Sequence, residues 1–269
     1  MTLIIPLLRA TCFLLGIWGV INAAQWFADM RQWSDGRALG WDLQRLRRGR
    51  LYRMNFSRRL YNPTGLSVLA GVLLITSVAL IVTPFSVATI ALLGCFAVAT
   101  LLLALRSGTD GADKMALVVA TGAMLQSFGA SFGEQRLVLA GVLWTGGQLT
   151  LAYFASGASK ALLAPWRQGD ALGAVFSSYM WGHRWMAAIT RRRETAMFLA
   201  WLVMLPELLF PLALMAPFDW LCVILAGFFL FHMAIAVIMG LNHYPLAFLA
   251  AYPSVLLLGQ WLRSTLGPN

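Results

Sequence analysis

Charged side chains are scarce in this sequence of 269 residues. They make up 11% of it, whereas soluble globular domains carry about 25%. Hydrophobic residues make up 60%, well above the roughly 45–50% of soluble domains. The composition therefore excludes a water-soluble globule, a disordered chain and a nucleic-acid-binding module, and it predicts an integral membrane protein.

Cysteine and catalytic signature motifs are also scarce. Cys12, Cys95 and Cys222 stand inside apolar runs without metal or CxxC spacing, so we interpret them as small hydrophobic core residues. The chain has no Walker loop, GxSxG elbow, HExxH motif or dinucleotide fingerprint. We therefore find no support for phosphate-driven or serine-hydrolase chemistry, and since the three histidines lie on different elements, we predict no metal site.

Long apolar runs are abundant instead. Eight are long enough to cross a bilayer as helices, which predicts an all-α polytopic bundle of about eight transmembrane helices. They cover residues 3–24, 64–83, 86–105, 115–133, 137–158, 196–215, 218–240 and 244–262. Arg9 inside the first run favours a retained helix over a signal peptide. Between the fifth and sixth runs, the region 160–185 is a candidate interfacial or re-entrant segment.

The first loop is strongly basic. Between residues 31 and 59, arginines alternate with apolar residues at roughly helical spacing, which predicts an amphipathic helix on anionic lipids. We therefore expect residues 1–63 to form the first transmembrane helix plus this loop. Residues 64–269 would form the remaining bundle, and both parts would belong to one structural domain.

The basic residues also predict an orientation. The net charge is +10, and 17 of the 20 lysines and arginines fall in the loops 25–63, 106–114, 159–195 and 241–243. Because positively charged loops stay in the cytoplasm, we expect these loops inside and both termini outside. In a bacterium this would be the cytoplasmic (inner) membrane.

Lys160 is a candidate catalytic base. On a helix, Tyr153, Gly157 and Lys160 share one face, and Gly157 leaves room beside the amine. Removing an amine from water favours its neutral form, which accepts protons. The alternative is a lysine that extends from a helix end to the headgroups.

Other polar residues in or beside the runs also have alternative interpretations, since ionisable groups in lipid are costly. Glu207 follows a helix-breaking proline and must be protonated, paired or facing a wet cavity. His232 is either functional or a hydrogen-bonded core residue, and Asn242 is either a ligand-binding residue or an end cap. Asp110 and Asp113 are either a helix cap or a carboxylate pair at a polar site.

The segment after Lys160 is the last of these places. Trp166 is followed by Arg167, Gln168, Gly169 and Asp170. Either Arg167 or Lys160 could pair with the Asp170 carboxylate. Alone, the segment is typical of a loop with an interfacial tryptophan.

These motifs, in this order, resemble a known membrane family. Residues Asp110–Lys114, the stretch Tyr153–Lys160, the stretch Trp166–Leu172, and Phe231-His232 followed by Gly240-Leu241-Asn242 are similar to the HTTM (horizontally transferred transmembrane) family. That family includes the membrane domain of vitamin K-dependent gamma-glutamyl carboxylase. The resemblance covers about residues 65–265. The Gly-x-x-Lys theme is also similar to DoxX-like membrane proteins, some of which are linked to quinones.

The resemblance implies a function and roles for its residues. A lysine in this stretch of the carboxylase is thought to be the base that starts oxygenation of vitamin K hydroquinone, and Lys160 matches it. The cofactor implied is a quinol, either vitamin K-like, ubiquinol or menaquinol, with oxygenase, carboxylase or lyase chemistry on a peptide or small substrate. His232 would be catalytic with Lys160. The substrate-binding residues would be Tyr153, Gly157, Trp166, Asp113, Glu207 and Asn242.

Two other functions remain open at this point. The carboxylase's large lumenal domain has no counterpart among these 269 residues, so propeptide recognition is not implied. The chain could instead be a non-enzymatic membrane subunit for maturation or export of a secreted peptide. A transporter would use Glu207 and Lys160 as a proton-coupled pair, but no inverted repeat supports it.

Overall fold

The computed structural model describes residues 4–33, 37, 59–83, 85–107 and 110–266. Its regular structure over those ranges is helical throughout, and eight helices are long and apolar enough to cross a membrane. The predicted all-α polytopic bundle and integral membrane protein are therefore confirmed. The basic loop at 31–59 and its contact with anionic lipids fall mostly outside the described residues.

The long helices follow the predicted apolar runs closely. They are α1 (Ile4–Ala28), α2 (Pro63–Val82), α3 (Ala88–Ser107), α4 (Gly111–Phe132), α5 (Gln135–Leu162), α9 (Arg193–Ala213) and α10 (Phe218–Met239). The eighth run forms two helices, α11 (Tyr244–Leu249) and α12 (Tyr252–Leu266). Pro253 is the second residue of α12, a position that suits proline at a helix start but not inside a continuous helix.

The candidate re-entrant region contains three short helices. These are α6 (Ala164–Arg167), α7 (Asp170–Ser177) and α8 (Arg184–Ile189). None is long enough to cross a bilayer. A single 3₁₀ turn, Met30–Trp33, follows α1.

Helix ends follow from local sequence. Asn62 caps α2 by accepting a hydrogen bond from the Gly65 amide at 2.7 Å, directly before Pro63, whose missing amide costs nothing at a first turn. α4 and α10 both end at glycines with left-handed backbone, Gly133 at φ 72° and Gly240 at φ 74°. A residue with a Cβ atom would be strained there.

The described helices divide into two compact units, Met1–Gly141 and Val142–Asn269. In the first unit α1 packs on α2 and α4, and Trp18, fully buried, lies 5.8 Å from Phe96 between ring centroids. The division falls inside α5 rather than after residue 63. The expected organisation into 1–63 and 64–269 within one domain stays a prediction.

The cysteines do not all behave as core residues. Cys12 is buried, Cys222 is half-buried and Cys95 is exposed. Our interpretation of Cys95 as a core residue is therefore wrong, because α3 turns that position to the outer surface. In a membrane this surface is covered by hydrocarbon, which accepts a thiol readily.

Candidate functional site

An ion pair joins α5 to α9 in the second unit. The Nζ atom of Lys160 lies 2.6 Å from Oε2 and 2.8 Å from Oε1 of Glu207. It also donates a hydrogen bond to Oγ of Ser156 at 3.0 Å. The Glu207 side chain is only 5% exposed and that of Lys160 19%. Glu207 is therefore paired, one of the three states that its position in an apolar run required.

Gly157 permits the close approach that forms this pair. A Cβ atom built there would lie 2.5 Å from the amide nitrogen of Leu208 and 2.9 Å from the carbonyl oxygen of Met204. Both atoms belong to the α9 backbone, so the two helices touch at this point. Since Lys160 is one turn beyond Gly157, its amine reaches the carboxyl of Glu207 across the same contact.

Two prolines lie in α9 close to Glu207 in sequence. Pro206 and Pro211 both lie inside that helix. Proline has no amide hydrogen and therefore leaves the carbonyl four residues earlier without its helical partner. The polar site thus lies where α9 has weakened internal hydrogen bonding.

Trp166 lies beside the amine. Its ring centroid is 5.5 Å from Nζ of Lys160, a distance at which an aromatic face attracts a cation. The two cations that were considered as partners of Asp170 have other partners. Lys160 bonds Glu207, and the Arg167 guanidinium donates to the carbonyl of Ala161 at 2.7 Å, while Asp170 is in the first turn of α7.

Tyr153 and His232 form a second buried polar contact. The hydroxyl of Tyr153 lies 2.9 Å from Nε2 of His232, and the two residues are 3% and 4% exposed. The Tyr153 ring stacks on Phe228 at 4.3 Å, and His232 packs on Phe248 at 4.0 Å. Nδ1 of His232 is buried with no hydrogen-bond partner among the described residues.

A cavity of about 390 Å³ lies between α9 and α10. Glu207 is the one ionisable residue in a wall that is otherwise apolar. The lining residues are Leu202, Val203, Pro206, Glu207, Gly227, Phe228, Leu230 and Phe231. The cavity therefore suits an apolar molecule that presents one polar group to the carboxylate.

Six of the predicted site residues belong to this part of the second unit, and two do not. Asp113 lies in the first unit, where it forms a capping box with Asp110 and its Oδ1 lies 3.5 Å from Nδ2 of Asn22. The helix-cap interpretation of these aspartates is confirmed. Asn242 is exposed in the turn between α10 and α11. The assignment of Asp113 and Asn242 to substrate binding stays a prediction.

One contact residue of this site, Ser156, was not predicted. Ser156 stands four residues before Lys160, so helical spacing alone places both on one face.

Comparisons with protein-family models, curated proteins and solved structures find no match to this chain. In the part of the chain that the structure describes, no cluster of three or more His, Cys, Asp or Glu side chains could hold a metal ion.

Proposed function

We propose that this chain is an HTTM-type integral membrane enzyme acting on a quinol or a similar lipid-soluble hydroxylated molecule. The observation that carries the proposal is the buried Lys160–Glu207 pair, one member of which, Glu207, lines an otherwise apolar cavity of about 390 Å³. A lipid-soluble substrate would enter this cavity from the bilayer. A quinol supplies two hydroxyl groups and two electrons, and it fits a site with one polar group on an apolar wall.

The pair provides a proton acceptor at the cavity wall. When the proton shared by the pair lies on Lys160, the carboxylate of Glu207 accepts the substrate proton and the ammonium group balances its charge. When that proton lies on Glu207, the neutral Lys160 amine is the base and takes up the proton of Glu207 as Glu207 accepts that of the substrate, because Glu207 and not Lys160 lines the cavity. Excluding water strengthens both interactions, and a general base must lie within hydrogen-bond reach of the proton it removes.

The orientation of this site in the membrane follows from the charge distribution. We propose a cytoplasmic (inner) membrane location with both termini outside, because 17 of 20 basic residues fall in the loops assigned to the inside. Accessibility of single cysteines, introduced into a Cys-free variant at 134 and 192, would test this orientation. Labelling of position 134 from the inside would contradict it.

The functional test combines binding and turnover of a short-chain naphthoquinol. Gly227→Phe fills the cavity at a glycine with nothing within 4 Å of an added Cβ atom, and we expect at least tenfold weaker binding. Lys160→Ala should abolish oxygen-dependent consumption of the quinol while the protein stays folded. Gly71→Phe, at an equally open glycine in the first unit, is the control and should change neither.

Two results would overturn the proposal. Unchanged consumption in Lys160→Ala would remove the base assignment. Equal quinol binding by the wild type and Gly227→Phe would show that the cavity is not the binding site. If the wild type bound no quinol, the non-enzymatic subunit would become the better interpretation.

A further inference from the structure

A second cavity, of about 180 Å³, lies beside the first and is lined only by apolar residues. Its walls come from four helices of the second unit. Leu172 and Phe176 come from α7, Met186 from α8, Leu199 from α9 and Ile238 from α10. The short helices after α5 therefore close a space between the ends of two membrane-spanning helices.

The two cavities share part of their lining, and we refer to them together as the slot. Leu202, Val203 and Phe231 line both of them. At about 1.5 Å per helical residue, the slot begins roughly 9 Å from Arg193, at Leu199, and reaches Glu207 at roughly 21 Å. Half of a bilayer's hydrocarbon core is about 15 Å thick, so the slot has the dimensions of an extended hydrocarbon chain.

The end of this slot that lies nearest to Arg193, and farthest from Glu207, is basic. Arg184 begins α8, two residues before Met186, and Arg191, Arg192 and Arg193 connect α8 to α9. All four arginines are exposed, and one exposed acid, Glu194, follows them. Trp185 beside them is 62% exposed, as is typical of tryptophans at the level of lipid headgroups.

We propose that the second cavity binds one acyl chain of an anionic phospholipid, whose phosphate group lies among Arg184, Arg191 and Arg192. A guanidinium group can donate two parallel hydrogen bonds to one phosphate. An anionic headgroup would therefore bind this cluster and neutralise part of its three net positive charges. A second copy of this chain or an apolar peptide would fill the slot but leave those charges unbalanced. The lipid site does not use the ion pair, so its test does not depend on the quinol chemistry. An acyl chain that filled the whole slot would also enter the first cavity and compete with a quinol there.

Native mass spectrometry of the detergent-purified full chain tests this site, with phosphatidylglycerol and phosphatidylcholine as probes. We expect one phosphatidylglycerol per chain to survive conditions that remove all phosphatidylcholine. Ala234→Trp, which fills the second cavity, should abolish this retention. Arg191→Gln and Arg192→Gln should each weaken phosphatidylglycerol binding about fivefold, because one basic side chain near a lipid surface contributes about that much.

Matched controls separate this site from lipids bound elsewhere. Ala226→Trp changes another exposed alanine of α10, and Arg136→Gln removes an exposed arginine of α5. Both should leave retention unchanged. Equal retention of the two lipids, or retention by Ala234→Trp, would overturn the proposal. A dimer that dissociates in Ala234→Trp would assign the slot to a second copy instead. Should Ala234→Trp fail to fold, the exposed arginine variants still decide the question.

Discussion

Lys160 and Glu207 lie 47 positions apart in sequence, yet the amine nitrogen is within 2.8 Å of both carboxylate oxygens. Both side chains are largely buried, at 19% and 5% exposed. Each charge is therefore tolerated because of the other. This mutual dependence makes the pair measurable by mutation without knowledge of a substrate.

Removing one charge should cost more than removing both. We expect Glu207→Gln to lower the free energy of unfolding by about 3 kcal/mol, because it leaves an unpaired ammonium in an apolar setting. The double variant Lys160→Met/Glu207→Leu should recover most of that loss. Denaturant titration in mixed micelles measures both values.

Glu194→Gln is the control for this comparison. It removes an exposed carboxylate from the same helix and should change stability by less than about 0.5 kcal/mol. A double variant no more stable than Glu207→Gln would contradict the expectation that the two charges compensate each other.

Gly157 should resist even the smallest enlargement. In Gly157→Ala the added methyl meets backbone atoms of Leu208 and Met204, which cannot rotate away as side chains can, so α5 and α9 must separate. We expect a loss of about 1–3 kcal/mol and a weaker Lys160–Glu207 contact. Gly147→Ala is the matched control, on the same helix with nothing within 4 Å. If both variants unfold alike, the helix contact at Gly157 is not what limits its size.

The hydrogen bond between Tyr153 and His232 should also be detectable in stability. Tyr153→Phe keeps the stacked ring but leaves Nε2 of a buried histidine without its partner, which costs about 1–3 kcal/mol. Tyr179→Phe removes a hydroxyl from a fully exposed tyrosine and should have no measurable effect. A cycle that adds His232→Phe isolates the pairwise energy, and an interaction energy near zero would argue against this bond.

The fold was largely predictable because membrane-spanning helices can be recognised in a sequence by their length and hydropathy. The apolar runs at 64–83 and 218–240, for example, differ from α2 and α10 by one residue at each end at most. The break in the eighth run was not predicted. Pro253 alone does not distinguish a continuous helix with a kink from two separate helices, because proline is compatible with both.

The candidate site was predictable in parts. Tyr153, Gly157 and Lys160 share a helix face by spacing alone, but the partner of Lys160 depends on how α9 packs against α5. The sequence left both Asp170 and Glu207 open as partners of Lys160, and the structure pairs it with Glu207. A single sequence does not show which of two candidate residues on other elements a side chain contacts.

Arg9 and Arg263 are two of the three basic residues outside the loops assigned to the inside, and both have a local structural role. The Arg9 guanidinium donates to the carbonyls of Leu80 and Ile81, at the end of α2. Arg263 donates to the carbonyls of Leu214 and Ala216, just after α9. Each arginine thus satisfies carbonyls that a helix end leaves without partners and meets the negative end of the helix dipole.

We therefore expect Arg9→Met and Arg263→Met each to lower the free energy of unfolding by about 1.5–3 kcal/mol, the range for hydrogen bonds to a charged group. Arg136→Met, at an exposed helix start, removes the same charge without such contacts and should change stability by less than about 0.5 kcal/mol. Denaturant titration compares the three. Equal effects of all three variants would mean that charge alone, rather than helix capping, explains why arginine occupies positions 9 and 263.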